Sequence, residues 1–357
     1  MTKNKKIVIE YKVILDKNNE IFLKSNKTKI YLDPIHLIDE DYVFISHAHT
    51  DHLLNKKYLK KFNLKNKIIS SNATSEIANI RGYNICNNIE SFEDFKLIDN
   101  GHMLGSKGLL FKKEVFYTGD LSTRKRAFLN KPEIPKVETL IIESTFGKPE
   151  YKFPPLDRVI YQVNSLISEM YARGIPVILM GYSLGKAQVL TALFGLWKPL
   201  IVHDNIYQFN NIYKNFGIVL EESTSLSRAK EKNMLDKKPW VLIYPLVSGK
   251  NTFINYLKEK FGAVTVGFSG WAVNKNYCHM MSLDYVFPFS DHCDFDELLE
   301  VTKKSRPEKI FTIHGFQVEF AKYLNFLGYN AEPVNRLKWG EKKALKTNKN
   351  ITLDSFF

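Results

Sequence analysis

The first forty residues alternate apolar and polar side chains. Ile7, Ile9, Tyr11, Val13 and Leu15 are followed by Ile21 and Leu23, then by Ile30 and Leu32. Period-two alternation, broken at Asp16-Lys17-Asn18-Asn19, predicts antiparallel strands joined by a turn. Further strands are predicted over 41–46, 67–70, 108–117 and 137–142, with helices over 52–62 and 73–79. After Pro154-Pro155 the spacing of Val159, Val163, Ile167 and Met170 is helical, and Gly174 and Pro176 end it. A strand over 177–180, a glycine turn over 181–185 and a helix over 186–194 follow, with apolar strands over 240–244 and 263–267. Alternating strands and helices of this kind predict a parallel-sheet module. Strands over 285–289 and 309–313 and helices over 295–303 and 318–327 complete the pattern. The stretch 338–350 is predicted to be a solvated tail.

Composition narrows the class. The chain has 357 residues, 44% hydrophobic and 25% charged, enough for two domains or for one with an insertion. No apolar run approaches the ~18 residues of a membrane span, and the N-terminal lysines lead into no signal-peptide core. Cys86, Cys278 and Cys293 have neither the number nor the spacing of a disulfide framework, so an intracellular protein without a membrane partner is expected. The net charge of +13 favours a polyanionic partner such as nucleic acid. Yet 43 of the 51 basic residues are Lys, a bias that genome composition or heat adaptation also produces. Local chemistry has to decide.

That chemistry begins at His47-Ala48-His49-Thr50-Asp51-His52, directly after the Val43-Phe44-Ile45 strand. Imidazole and carboxylate are ligands that zinc accepts, and four of them in six residues are hard to explain by packing. His47 and His49 can point to one metal, while Asp51 and His52, beyond the turn, can reach a second. The competing reading is a polar helix start with Asp51 as its cap and three ordinary histidines. His102 between two glycines, Asp120 at the end of Phe116-Tyr117-Thr118-Gly119-Asp120, and His314 before Gly315 repeat one placement. Each is a His or Asp just past a strand and beside Gly, where functional groups concentrate.

Together these motifs resemble the metallo-β-lactamase superfamily: His-x-His-x-Asp-His, a later Gly-His, Thr-Gly-Asp and a final His. Glu143-Ser144-Thr145-Phe146-Gly147 and Ser290-Asp291-His292 extend the resemblance to its β-CASP branch of metal-dependent nucleases. That branch includes Artemis-type DNA repair nucleases and the cleavage-and-polyadenylation nuclease. Gly181 to Gln188, Ser269-Gly270-Trp271 and Phe289 to His292 are similar to ligase-associated exonucleases and to archaeal proteins labelled RNA 3′-end processing factors. The resemblance covers residues ~20–335. It implies an α/β fold, a four-layer αβ/βα sandwich with an inserted β-CASP α/β domain. The expected boundaries are 1–154 and 281–340 for the sandwich, 155–280 for the insert and 341–357 for a basic tail.

The resemblance also implies two Zn2+ ions, with Mn2+ or another divalent metal as a substitute. His47, His49 and His102 would hold one ion, and Asp51, His52 and His314 the other, with Asp120 bridging. Asp51, Glu143 and His292 are the catalytic candidates, Glu143 and His292 as the pair assisting proton transfer to the leaving oxygen. Asp33 in Tyr31-Leu32-Asp33-Pro34 would orient a ligand loop. Artemis-type members often have an aliphatic residue where His314 stands, whereas RNA-acting members and ligase-associated exonucleases have His. The expected partner is single-stranded DNA or RNA, with a DNA ligase or helicase as protein partner by the same resemblance.

Phosphodiester hydrolysis needs a nucleophile at neutral pH and stabilisation of charge on phosphorus. A hydroxide bridging two zinc ions supplies both, because zinc lowers the pKa of bound water to about 7. Imidazole suits the proton for the departing oxygen, which points to His292; its competing reading is a neighbour of a helix cap. Ser183 and Lys186 in the glycine turn, with Ser269 and Ser290, are candidates for holding a backbone phosphate. The turn is not a P-loop, because Gly181 and Gly185 are too close and Ala187 follows Lys186. It reads equally as a tight turn with an exposed Lys. Lys56-Lys57, Lys60-Lys61 and Arg124-Lys125-Arg126 are phosphate-tracking runs or solvated faces. Tyr182, Phe268, Trp271 and Phe316 are aromatics near the site that can stack bases. The leading expectation is a di-zinc DNA exonuclease in repair, with an RNA nuclease as the alternative. A small-molecule metallo-hydrolase would not need the insert, Glu143 or His292, and a non-catalytic binding module would not need all seven ligands.

Overall fold

The computed structural model describes residues 12–16, 19–25, 28–36, 42–56, 68–85, 88–92 and 94–334. The first five strands, β1 (Lys12–Leu15), β2 (Ile21–Lys24), β3 (Lys29–Leu32), β4 (Tyr42–Phe44) and β5 (Ile68–Ile69), form one sheet in sequential order. Pairing is antiparallel from β1 to β3 and parallel from β3 to β5. A second sheet begins with β6 (Ser91–Phe92), β7 (Phe95–Asp99), β8 (Lys107–Phe111), β9 (Val115–Tyr117) and β10 (Thr139–Glu143). The third contains β11 (Val177–Gly181), β12 (Leu200–Val202), β13 (Thr224–Ser225), β14 (Val241–Pro245), β15 (Val264–Ser269) and β16 (Tyr285–Pro288). It is parallel throughout, in the order β13-β12-β14-β11-β15-β16. The chain then returns β17 (Lys309–Ile313) and β18 (Ala331–Pro333) to the second sheet, parallel to β10.

Nine helices among the described residues cover these sheets: α1 (Asn72–Ile80), α2 (Leu156–Ala172), α3 (Lys186–Phe194), α4 (Asp204–Asn215), α5 (Leu226–Glu231), α6 (Thr252–Phe261), α7 (Tyr277–Met281), α8 (Phe295–Ser305) and α9 (Gln317–Phe326). The layering follows from the alternation of side chains along each strand. Leu23, Ile30 and Phe44 of the first sheet meet Leu109, Tyr117, Ile141 and Ile313 of the second, all buried in one core. On the outer face of the second sheet, Leu140, Ile142 and Ile310 pack on Leu298 and Val301 of α8 and Phe320 and Leu324 of α9. On the outer face of the first, Val43 and Ile68 pack with Ile77 of α1 and Phe209, Ile212 and Tyr213 of α4. The result is a helix–sheet–sheet–helix sandwich, as the resemblance implied. The third sheet is covered on both faces, by α2 and α3 on one side and by α5 and α6 on the other.

Differences from the sequence pattern have physical reasons. The stretch 108–117 is a hairpin rather than one strand, because Lys112 and Lys113 take positive φ and turn the chain. Of the helix expected over 52–62, the described part holds a short 3-10 turn at Thr50–His52, and 57–67 lie outside the described residues. Ile7, Ile9, Tyr11, Cys86 and the tail after 334 also lie outside them. β12, β13, α4, α5 and α6 are not among the elements predicted above: the strands are short, and Asn-rich α4 has low intrinsic helix propensity and is stabilised by packing. The third sheet reaches Pro288 through β16, past residue 280 where the insert was expected to end. No described helix is long and apolar enough to cross a membrane.

Ile141 sits between the first two sheets with no exposed surface. Ile141→Ala should lower unfolding free energy by about 2–5 kcal/mol in a denaturant titration, whereas the largely exposed Tyr161→Ala should change it by under about 0.5 kcal/mol.

Candidate metal centre

Each functional side chain stands where a strand runs out. β4 delivers the His47–His52 loop, β9 delivers Asp120, β10 ends on Glu143 and β17 is followed by His314. The third sheet aims three of its strand ends at the same place: Gly181–Leu184 after β11, Ser269–Trp271 after β15 and Ser290–His292 after β16. Gly119, at φ 54°, allows the approach of these loops, since a Cβ there would lie 2.8 Å from that of Ser46.

Donor atoms of His47, His49, His102 and Asp120 lie within 4.8 Å of one another, and so do those of His52, Asp120 and His314. Asp120 belongs to both groups: its Oδ2 is 3.5 Å from His47 Nε2, 3.3 Å from His52 Nε2 and 3.8 Å from His102 Nε2. The tautomers of the first group follow from its surroundings. A carbonyl oxygen only accepts, so His49 Nε2–H donates to Leu184 O (3.2 Å) and His102 Nδ1–H donates to Asp291 O (2.9 Å). Ser46 Oγ–H donates to Asp33 Oδ2 and accepts from His47 Nδ1–H. Each ring therefore turns a bare nitrogen inward. His47 Nε2 and His102 Nε2 stand 2.9 and 3.2 Å from His49 Nδ1. Burial pushes all three imidazoles below their ordinary pKa, so no proton separates those lone pairs at neutral pH. A tetrahedral zinc with bonds of about 2.0–2.1 Å has ligand–ligand edges of about 3.4 Å, so the spacing and chemistry of this donor set fit that ion.

Asp33 holds the loop from behind. Its carboxylate accepts from Ser46 N and Ser46 Oγ (2.6 Å each), His52 Nδ1 and Tyr117 OH (2.8 Å each). Burial pulls the His52 imidazole down, but Asp120 and then Asp33 outweigh it and hold His52 well above its ordinary pKa. A cation at Nε2 would take the place of that proton. Arg81, which the sequence reading did not single out, donates to Ala48 O at 2.6 Å and braces the same loop.

Beside the two groups stands a pair. Glu143 is fully buried and accepts from Leu121 N at 2.7 Å. His292 Nδ1 lies 3.0 Å from its carboxylate, which leaves Nε2 facing Asp120 Oδ2 at 4.0 Å. Against the opposing effect of burial, Glu143 and Asp120 push the His292 pKa up to about 9.

Some expected residues stand elsewhere. Asp51 joins neither donor group: its carboxylate is three-quarters exposed, with Oδ2 3.9 Å from His52 Nε2. The 3-10 turn points it to solvent at the rim. Lys186 is buried, its ammonium donating to Phe289 O (3.0 Å) and lying 3.5 Å from Asp291 Oδ2, so it is neither a phosphate hook nor an exposed Lys. Ser269 Oγ accepts from Trp271 N and Ser290 Oγ accepts from His292 N, which shapes their loops; Ser183 is half-buried on the glycine turn. Arg124 and Arg126 do not track a surface either. Arg124 pairs with Asp294 and Glu297. Arg126 is buried and binds Asp291 Oδ1 (2.7 Å) and the carbonyls of Gly101 (2.6 Å) and His102 (3.0 Å). Asp291, inside a motif noticed for its histidine, thus binds two buried cations and His102 at once. Of the basic run 56–61, Lys57, Lys60 and Lys61 lie outside the described residues.

Asp33→Asn, which turns an acceptor into a donor against His52 or Tyr117, should weaken zinc binding about 10- to 100-fold in competition with a chromogenic chelator. Unchanged affinity would mean that Asp33 does not orient the ligands.

Residues 281–332 match the family model described as "Zn-dependent metallo-hydrolase RNA specificity domain". The chain is 29% identical over 316 residues to a "Probable DNA ligase" of Opitutus terrae, covering 83% of this chain but only 29% of that protein's length. It is 23% identical over 414 residues to the "Probable RNase MJ4" of Methanocaldococcus jannaschii, covering 90% of this chain and 96% of that protein. A crystal structure of a protein of unknown function from Enterococcus faecalis V583 superposes with a TM-score of 0.58 at 15% identity, over 90% of this chain and 95% of the other, which bears on the fold alone. With the sandwich, the donor groups on a shared Asp120 and these relatives in place, the likenesses support the β-CASP branch of the metallo-β-lactamase superfamily as the family this chain resembles.

Proposed function

We propose that this chain is a two-zinc phosphodiesterase that degrades single-stranded DNA from its ends, in repair. The observation that carries the reading is the sharing of Asp120 between two donor groups, with the Glu143–His292 pair alongside. His47, His49, His102 and Asp120 would hold one ion, and His52, His314 and Asp120 the other, with Asp51 near enough at the rim to join by a rotamer change. When bound, the ions supply charge to neutralise the phosphate and acidify a water.

The chain's own residues do the rest. Leu184 O, Asp291 O and Ser46 Oγ keep three imidazoles in the ligating tautomer. Glu143 fixes His292 with its proton on Nδ1 and stabilises the imidazolium, so Nε2–H is available to the departing sugar oxygen. A small-molecule hydrolase would have no use for this pair beside the donors or for strand ends of a third sheet walling the centre.

DNA as substrate is supported by the "Probable DNA ligase" relative, of which this chain spans 29% of the length, and a ligase or helicase partner fits the same likeness. RNA is the second reading. It is favoured by the match of 281–332 to an RNA specificity domain and by the "Probable RNase MJ4" relative.

Digestion of end-labelled DNA and RNA, single- and double-stranded in parallel, tests the reading. The expected result is stepwise shortening of single-stranded DNA. RNA cleavage with DNA untouched would replace the substrate, and no cleavage of either would remove the function. In the same assay Asp120→Ala should abolish turnover and lower zinc content. His292→Ala should lower kcat about 100-fold or more with zinc retained. Zinc loss in the latter variant would make His292 a ligand instead.

A further inference from the structure

We propose that Trp271, Tyr151 and Phe316 form a stacking platform for the bases of a single strand, next to the bond being cut. This rests on the nuclease reading above and names how the substrate is gripped. The three rings come from the loops that follow β15, β10 and β17; β10 ends on Glu143, and His314 opens the loop after β17. Beneath them lies Phe146, only 2% exposed, its ring 6.1 Å from that of His292 and 4.8 Å from that of Trp271. Tyr151 meets Trp271 edge-on at 5.4 Å and lies nearly parallel to Phe316, 5.3 Å away at 23°. The ladder of rings therefore runs from the proton-donating side of the centre outward to solvent.

Two observations separate this cluster from ordinary core. All three outer rings are half-buried, whereas Phe146 below and its neighbour Phe153 are buried. The indole of Trp271 also differs from the other described ones. Trp197 Nε1 donates to Asn164 Oδ1 and Trp240 Nε1 to Leu235 O, but among the described residues the Trp271 N–H meets no acceptor. That N–H is open to solvent rather than buried, so a ligand oxygen can reach it beside the ring face.

The platform is built before any ligand arrives. A Cβ on Gly270 would lie 2.3 Å from Phe146 Cζ, so only glycine there lets Phe146 support Trp271. Tyr151 is pinned by its own N–H to Lys148 O and by its carbonyl, which accepts from Phe295 N. Lys148 Nζ stands 4.1 Å from the Phe316 ring centroid and 3.6 Å from Glu319, placing a cation at the edge where a phosphate backbone would pass. Aromatic faces beside a cation take any base, because every base has a π-face, and they need it unpaired and unstacked. The ligand class is thus single-stranded nucleic acid without sequence preference.

The test compares a thymidine oligonucleotide with one of the same length carrying abasic tetrahydrofuran residues around the cut. The parent protein should favour the base-carrying strand in kcat/KM. Trp271→Ala should cut that preference about ten-fold, and Trp271→Phe should restore most of it. Equal losses on both strands, or an unchanged preference, would overturn the platform. Quenching of tryptophan fluorescence by the thymidine strand is read alongside, in parent and Trp271→Phe. If the parent cuts neither strand yet its quenching is lost in Trp271→Phe, the platform stands and the nuclease reading falls. If cutting proceeds while quenching survives in Trp271→Phe, the platform falls and the nuclease reading stands.

Discussion

Three imidazole nitrogens without protons face one another at 2.9 and 3.2 Å and a carboxylate at 3.5 and 3.8 Å. Lone pairs that close repel, and only a positive charge between them makes the arrangement favourable. The surroundings enforce it: two backbone carbonyls and one serine hydroxyl take the other ring protons, so no ring can turn its N–H inward without losing a bond. One of those carbonyls, that of Leu184, belongs to the turn after β11. The donor set is therefore finished by the third sheet, although every donor itself comes from loops of the first two.

A second buried assembly keeps those sheets in register. Asp291 binds Arg126 and Lys186 through its two carboxylate oxygens and His102 through its carbonyl, while Arg126 also caps the carbonyls of Gly101 and His102. Buried charges are tolerated only when paired and hydrogen-bonded on every side, and each partner here comes from a different stretch of chain. Displacing any one would leave the others charged and dry. The same side chains that fix the loop around His102 are thus those that would suffer if the third sheet moved away.

The sequence made much of this legible because clustered donor side chains stand out. His47, His49, His52, His102, Asp120 and His314 each follow a strand and sit beside turn-forming residues, and the structure gathers all six. Glu143 and His292 also meet as expected. What stayed hidden depends on where a charged side chain goes after it leaves the backbone. Arg124, Arg126 and Lys186 read as solvent-facing because basic residues usually are, and all three turn inward to carboxylates distant in sequence. Asp51 shows the reverse: adjacent to His52 in the chain, it is carried to the rim by a turn of three residues. The helices of the third sheet's outer strands were hard to see for another reason. α4 is rich in Asn, which lowers its intrinsic helix propensity, and Asn210 interrupts the apolar face formed by Ile206, Phe209 and Tyr213.

The packing of α4 has a consequence for how the molecule is partitioned. Ile206 lies in the core of the third sheet, while Phe209, Ile212 and Tyr213 of the same helix lie in the core beneath the first. A chain segment can be bounded neatly by sequence and still own no closed interior. Cut out as a module, the third sheet would carry three large apolar side chains into water. The sandwich left behind would show the matching hollow over Val43 and Ile77. Grafting the third sheet elsewhere would therefore have to carry the surface of α1 with it, because the seam between the two parts is a helix rather than a linker.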